Sequence, residues 1–135
     1  MVDRYTPANI GLAMAAVARL AQASIAIRRL PFARAVRLGS VQLARPPQNP
    51  ADRVIRVVWA VRAASARVPW RTMCFPQALA AQLMLRRAGI DARLHFGAAL
   101  EPDKGMEAHV WVTVDGQTVI GGEQAPRFGK LYTVP

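Results

Sequence analysis

Apolar and polar positions in the first half of the chain recur at helical spacing and predict two long helices. Thr6 and Pro7 have the residue types of a helix start, because threonine caps the first turn and proline fits into it. This helix is expected to run to about Arg29. Asn49 and Pro50 mark a second start of the same kind. The apolar positions of the second helix are Val54, Ile55, Val58, Val61 and Ala64.

The pattern changes in the second half, where one further helix is followed by alternating segments. Residues 75–88 predict a strong helix, with Gly89 as its C-terminal stop. Residues 91–100 and 108–114 alternate loosely between apolar and polar positions, which is typical of strands. Residues 101–107 are polar and predict the loop between these two strands.

Asp115 and Gly116 form a strong signal for a two-residue hairpin turn. Residues 117–121 would return as a strand, and residues 131–134 would add a short last one. The predicted fold is therefore α+β, with N-terminal helices followed by an antiparallel β-sheet against which the helix after Cys74 packs. We expect one compact domain, in which a helical segment of residues 1–50 packs on a core of residues 51–135.

Composition and charge restrict the partners of this domain. The chain has 135 residues, of which 53% are hydrophobic, enough for a buried core. Its 18 basic residues exceed its 8 acidic ones and give a formal net charge of +10. This excess favours acidic partners such as a nucleic acid, an anionic membrane or an acidic peptide. The arginines are spread along the whole chain without interleaved aromatic residues, which disfavours a nucleic-acid-binding surface.

Two features predict a soluble, cytoplasmic protein without an integral membrane segment. Cys74 is the one cysteine, so the chain cannot form an internal disulfide. The most apolar N-terminal stretch, from Ile10 to Ile27, is interrupted by Arg19 and Gln22. It is expected to be too polar for a membrane span and too long for the apolar region of a signal peptide.

Cys74 is the candidate nucleophile because it lies at the predicted start of a helix. The free N–H groups and the positive end of the helix dipole would stabilise a thiolate there, and Arg71 nearby would act in the same direction. The same N–H groups are suited to hold the oxyanion of an acyl transfer. The competing interpretation is a buried structural cysteine.

His109 is the candidate base, at the start of a strand on which Trp111 shares its face. A neighbouring tryptophan can hold an imidazole in one orientation, which suits a general base; a structural histidine is the alternative. In a tight hairpin His109 would lie opposite Gly122, which makes Glu123 the preferred third member, orienting the imidazole. Asp115 is the main rival, about 20 Å away along the strand.

The other possible acids are Asp103 and Glu107, in the loop before His109. An ordinary solvated carboxylate is the alternative interpretation of Glu123. Neither a metal nor a cofactor is predicted, since Cys74, His95 and His109 match no ligand spacing. His95 is instead expected on the sheet, where it would contribute to substrate binding if it shared the cleft.

Three motifs in this order resemble one family: CFPQALA (74–80), RRAGIDARLHFG (86–97) and EAHVWVTVDG (107–116). Over about residues 54–124 they resemble the transglutaminase-like leader peptidases of lasso-peptide biosynthesis. The resemblance implies a papain-like or transglutaminase-like core with Cys74 as nucleophile and His109 as base. It places the family's acid on the strand after the turn, where this sequence has Glu123.

The resemblance also implies the reaction and its partners. A cysteine peptidase of this kind removes the leader from a ribosomally made lasso precursor peptide through a thioester, and a separate macrocyclase then closes the core. The first 50 residues do not have the pattern of a leader-recognition domain, so a separate recognition protein is expected. The alternatives are amide exchange on the same cysteine and histidine, a non-catalytic peptide-binding module of this fold and, less favoured, a nucleic-acid-binding domain.

Overall fold

A computed structural model describes residues 6–70, 74–101, 105–121 and 129–134 of the chain. Four helices precede four strands. The helices are α1 (Pro7–Arg29), α2 (Phe32–Ala35), α3 (Pro50–Arg67) and α4 (Cys74–Arg87). The strands are β1 (Ala92–Glu101), β2 (Gly105–Val114), β3 (Gln117–Ile120) and β4 (Gly129–Val134). The predicted α+β fold is confirmed.

The two long N-terminal helices begin at the predicted caps. The Thr6 hydroxyl accepts a hydrogen bond from the backbone N–H of Asn9 at 3.2 Å. The side-chain oxygen of Asn49 accepts one from the N–H of Asp52 at 3.3 Å. Each cap satisfies one of the N–H groups that lack a partner inside the first helical turn. Both helices therefore start where local chemistry alone places them.

The sheet is antiparallel, with the strand order β3-β2-β1-β4. β1 and β2 pair without interruption from Ala92 opposite Val114 to Glu101 opposite Gly105. The predicted loop over residues 101–107 is therefore too long, because its last residues extend the ladder of β2. Continuous pairing of backbone groups holds these polar residues in extended conformation despite their composition.

The hairpin between β2 and β3 has the predicted turn and an unpredicted bulge. Asp115 and Gly116 both have positive φ, at 51° and 78°, as a type I′ turn requires. Val114 pairs with Gln117 as expected, but Val112 pairs with Ile120 because one extra residue is inserted into β3. The register assumed for His109 opposite Gly122 is therefore not kept beyond the bulge, and Gly122 lies outside the described residues.

One face of the sheet packs on the helices and forms the core. α4 lies against β1, β2 and β3, and its residues 78–85 are all buried. From the sheet, the same core receives Ala92, Leu94, Val110, Val112 and Ile120. Because side chains alternate along a strand, the residues between these positions face away from α4.

The first helix packs on α3 and α4, and Ala16, Leu20 and Ala23 are fully buried there. By length and composition, however, α1 is apolar enough to cross a membrane, and only 22% of its most apolar window is buried. Arg19 and Gln22 thus do not exclude a span by composition alone. A buried core helix and an N-terminal signal sequence pass the same test.

Candidate active site

Cys74 is the first residue of α4 and borders a small cavity. Its side chain is half-buried and packs against the core. The cavity has a volume of about 190 Å³ and is lined, besides Cys74, by Arg62, Gln77, Val110, Ile120 and Gly121. N–H groups in the first turn of a helix have no partner within the helix. Cys74 therefore stands among N–H groups that stabilise negative charge, and it shares the cavity with Arg62.

Three aromatic rings fix the start of α4 against its neighbours. The ring of Phe75, next to Cys74, lies 5.4 Å from that of Phe96 on β1 and 6.1 Å from that of Phe32 on α2. The rings of Phe32 and Phe96 are themselves 5.4 Å apart, edge to face. Such pairs contribute about 0.5–1.5 kcal/mol beyond the area that they bury. This cluster holds Cys74 at a defined point above the sheet.

The ring of His109 is fixed from two sides. It stacks on Trp111, two residues further along β2, with ring centres 6.3 Å apart and planes 18° from parallel. Its Nε2 donates a hydrogen bond to the backbone carbonyl of Gly121 at 3.2 Å. A carbonyl can only accept, so Nε2 carries the proton in this hydrogen bond.

Gly121 connects the surroundings of His109 with those of Cys74. Its carbonyl binds the imidazole, and the same residue lines the Cys74 cavity. Its φ is +78°, a conformation that favours glycine. A Cβ added here would lie 2.9 Å from the Val110 carbonyl, 3.0 Å from Trp111 Cβ and 3.3 Å from His109 Nε2. Only glycine fits at this position without displacing one of these groups.

The predicted third member of the site is not placed by the structure. Glu123 lies outside the described residues, as do Asp103 and Arg71. Asp115, the rival of Glu123, is exposed at the tip of the hairpin turn. The orienting hydrogen bond seen at His109 comes from a backbone carbonyl.

His95 is a buried residue of the sheet, 4% exposed. Its ring stacks on Trp111 at 5.6 Å, and its two nitrogens form hydrogen bonds with the hydroxyls of Thr133 (3.0 Å) and Thr113 (2.6 Å). These contacts satisfy the ring within the sheet. In the described ranges no three His, Cys, Asp or Glu side chains come together as a metal site would require.

Three residues at the site were missed from sequence: Arg62, Gln77 and Gly121. For Arg62 a signal existed, since it follows Ile55 and Val58 at helical spacing and thus lies on their face of α3. Gln77 follows Cys74 within one helical turn. Gly121 lines the cavity and accepts the hydrogen bond of His109. Its role depends on the bulge, which no local pattern predicts.

Comparison with known proteins gives one result for the chain. The model of a family described as the transglutaminase-like superfamily matches residues 15–133. No curated protein and no solved structure matches the chain significantly. The match spans α1 to β4 and thus includes both Cys74 and His109.

Proposed function

We propose that this chain, which belongs to the transglutaminase-like superfamily, is a cysteine peptidase with Cys74 as its nucleophile and His109 as its base. The superfamily is compatible with cysteine-peptidase activity in general. One observation carries the proposal further. His109 donates its Nε2 proton to the carbonyl of Gly121, and Gly121 lines the cavity into which Cys74 opens. Gly121 therefore adjoins both the His109 ring and the space beside the Cys74 thiol, which stands at a helix start.

The proposed reaction begins with transfer of the Cys74 thiol proton to the His109 imidazole. The sulfur then attacks the scissile carbonyl carbon, and the oxyanion is held by N–H groups at the start of α4. As the C–N bond breaks, the imidazolium donates its proton to the leaving amine. Water, deprotonated by His109, attacks the resulting thioester, and the C–S bond breaks to regenerate Cys74.

We propose that the Gly121 carbonyl, which accepts this hydrogen bond, helps to orient the His109 ring. In cysteine–histidine and serine–histidine enzymes, a third group holds the imidazole in its productive orientation and tautomer. A carbonyl does so without adding a negative charge. Glu123 remains a proposal as an additional partner of the same histidine.

The substrate that we propose is a lasso precursor peptide, from which the chain removes the leader in the cytoplasm. The support is the order and spacing of the three motifs around Cys74, His95 and His109. The positive charge of +10 suits an acidic leader or partner. We further propose that a separate recognition protein delivers the leader and that a macrocyclase receives the freed core.

Cleavage of the precursor tests this proposal. The wild-type chain is incubated with the precursor and recognition protein encoded beside its gene, and release of the core is followed by mass spectrometry. We expect cleavage by wild type and none by Cys74→Ala. For His109→Ala we expect a loss of about 10²–10⁴-fold in kcat, the usual contribution of a general base.

The controls separate chemistry from folding and from binding. Each variant is first checked for a wild-type thermal transition. Cleavage by Cys74→Ala at the wild-type rate would overturn the nucleophile assignment. If the wild type binds the precursor but leaves it intact, the chain is a non-catalytic peptide-binding module of this fold.

A further inference from the structure

An exposed apolar groove runs between α1 and α3, on the helical side of the molecule. It has a volume of about 250 Å³. The residues that shape it are Ile10, Met14, Val17, Trp59, Ala63 and Arg67. Ile10 and Met14 are 47% and 69% exposed, although both are large and apolar. Large apolar side chains are rarely left clustered at a surface unless a partner covers them.

This groove continues toward the Cys74 cavity. A second hollow of about 590 Å³ shares Trp59, Ala63 and Arg67 with the groove and is also lined by Arg62. Arg62 in turn lines the cavity of Cys74. The three spaces therefore follow one another along α3, and we call them together the α3 track. Because the track leads to the candidate nucleophile, its expected ligand is the substrate of Cys74.

The charges along the α3 track are positive. Arg62 and Arg67 both line it. Three other arginines lie beside carboxylates: Arg56 beside Asp52, and Arg86 and Arg93 beside Asp91. Among the described residues, no carboxylate forms such an ion pair with Arg62 or Arg67. An incoming carboxylate would therefore meet available guanidinium groups next to an apolar groove.

The spacing along α3 sets the order of the ligand's side chains. Trp59 and Arg62 are three residues apart on one helix face, or about 4.5 Å along the axis. An extended peptide advances about 3.3 Å per residue. A carboxylate at Arg62 and an apolar side chain at Trp59 thus belong to ligand residues one or two positions apart.

We propose that the α3 track binds the peptide substrate beside its scissile bond, with an acidic side chain at Arg62 and an apolar one against Trp59 and Met14. The proposal rests on the proposed function, since it takes Cys74 as the point of cleavage. It defines the substrate class as peptides that carry an acidic and an apolar residue within two positions of each other.

Binding is tested on the uncleaving variant Cys74→Ala, so that the result does not depend on catalysis. The probes are two fluorescently labelled synthetic peptides, one containing Glu-Gly-Leu and a twin containing Lys-Gly-Leu. We expect the glutamate peptide to bind at least about tenfold more tightly, which corresponds to 1.4 kcal/mol. Adding Arg62→Glu should reverse this preference. Arg53→Glu, on the same helix but outside the track, should retain it.

Two matched variants on α1 test the apolar part of the α3 track. Met14→Asp should weaken binding of the glutamate peptide, whereas Ile25→Asp should not, although Ile25 is similarly exposed at 61%. In the cleavage assay, Met14→Asp should raise KM with little change in kcat.

Several results would overturn the proposal while leaving the peptidase assignment intact. Equal binding of both peptides, or of neither, would do so, as would an unchanged preference in Arg62→Glu. If Met14→Asp changes only the self-association of the chain and not peptide binding, the groove binds a second copy of the chain. An effect on the recognition protein alone would assign it to that partner. Conversely, if the peptides bind as expected but no precursor is cleaved, the peptidase assignment is refuted and the α3 track remains a peptide-binding site.

Discussion

At the scale of single residues, Gly121 combines a backbone constraint with a steric one. Its φ of +78° costs an L-residue about 1–2 kcal/mol, and a Cβ would crowd Val110, Trp111 and His109. Gly121→Ala should therefore lower both stability and kcat, because the imidazole loses its hydrogen-bond geometry. Thermal unfolding and cleavage kinetics measure the two effects.

Gly116 provides a control with the same backbone angle. Its φ is also +78°, but a Cβ there would meet nothing within 4 Å. Gly116→Ala should show the cost in stability while retaining kcat. If the two variants lose activity equally, the loss comes from strain in the hairpin and Gly121 does not position His109.

The residues that carry the proposed chemistry differ in how far the sequence predicts them. Cys74 can be located because a helix start depends on its local neighbours, and the structure starts α4 at Cys74. His109 lies on the predicted strand with Trp111 on its face. The partner of its Nε2 could not be predicted, because an inserted residue in β3 decides which backbone group reaches the ring.

At the scale of elements, Arg86 anchors the end of α4. Its Nε donates to the Val41 carbonyl at 2.9 Å, and a terminal nitrogen donates to Asp91 at 3.0 Å. Its side chain is only 11% exposed. Arg86→Ala should lower the free energy of unfolding by about 1.5–3 kcal/mol, since it removes charged hydrogen bonds and leaves their acceptors.

The neighbouring arginine is the matched control for this prediction. Arg87 is exposed, and Arg87→Ala should change the free energy of unfolding by less than about 0.5 kcal/mol. Urea unfolding of both variants measures the difference. If both variants lose the same free energy of unfolding, the effect comes from positive charge at the end of the helix and not from the hydrogen bonds of Arg86.

The cap of α3 gives a second prediction at this scale. Asn49→Ala should cost about 1 kcal/mol, because the N–H of Asp52 loses its acceptor. Asn49→Gly should cost only a few tenths, since glycine is a tolerated cap. The midpoint of urea unfolding ranks the stability of wild type, Asn49→Gly and Asn49→Ala. If Ala and Gly are equivalent, the cap does not contribute as proposed.

Element boundaries follow the sequence where a local signal sets them. The caps at Thr6 and Asn49 and the turn at Asp115 are such signals, and all three appear in the structure. The start of β2 at Gly105 has no such signal. It is set by pairing with Glu101 across the sheet, which polarity does not reveal.

At the scale of the whole molecule, the net charge of +10 makes association with acidic peptides sensitive to salt. Raising the ionic strength should increase KM for an acidic leader several-fold and change kcat little. A leader variant with its acidic residues amidated should lose this dependence. An equal fall in kcat for both peptides would indicate that salt acts on the enzyme itself.

The packing of helices on one another was beyond prediction. The packing of α1 beside α3 leaves Met14 exposed in the groove with Trp59. The α3 track requires α3 to lie beside the start of α4, an arrangement that brings Arg62 to Cys74. Such contacts depend on tertiary structure rather than on any segment alone.

The most direct test of the account is to trap the intermediate on Cys74. Wild-type chain, precursor and recognition protein are mixed, quenched in acid and analysed by intact mass and peptide mapping. We expect a leader acyl group on Cys74 that hydroxylamine removes. Release of the core by Cys74→Ala at the wild-type rate, or a leader adduct on another residue, would contradict it.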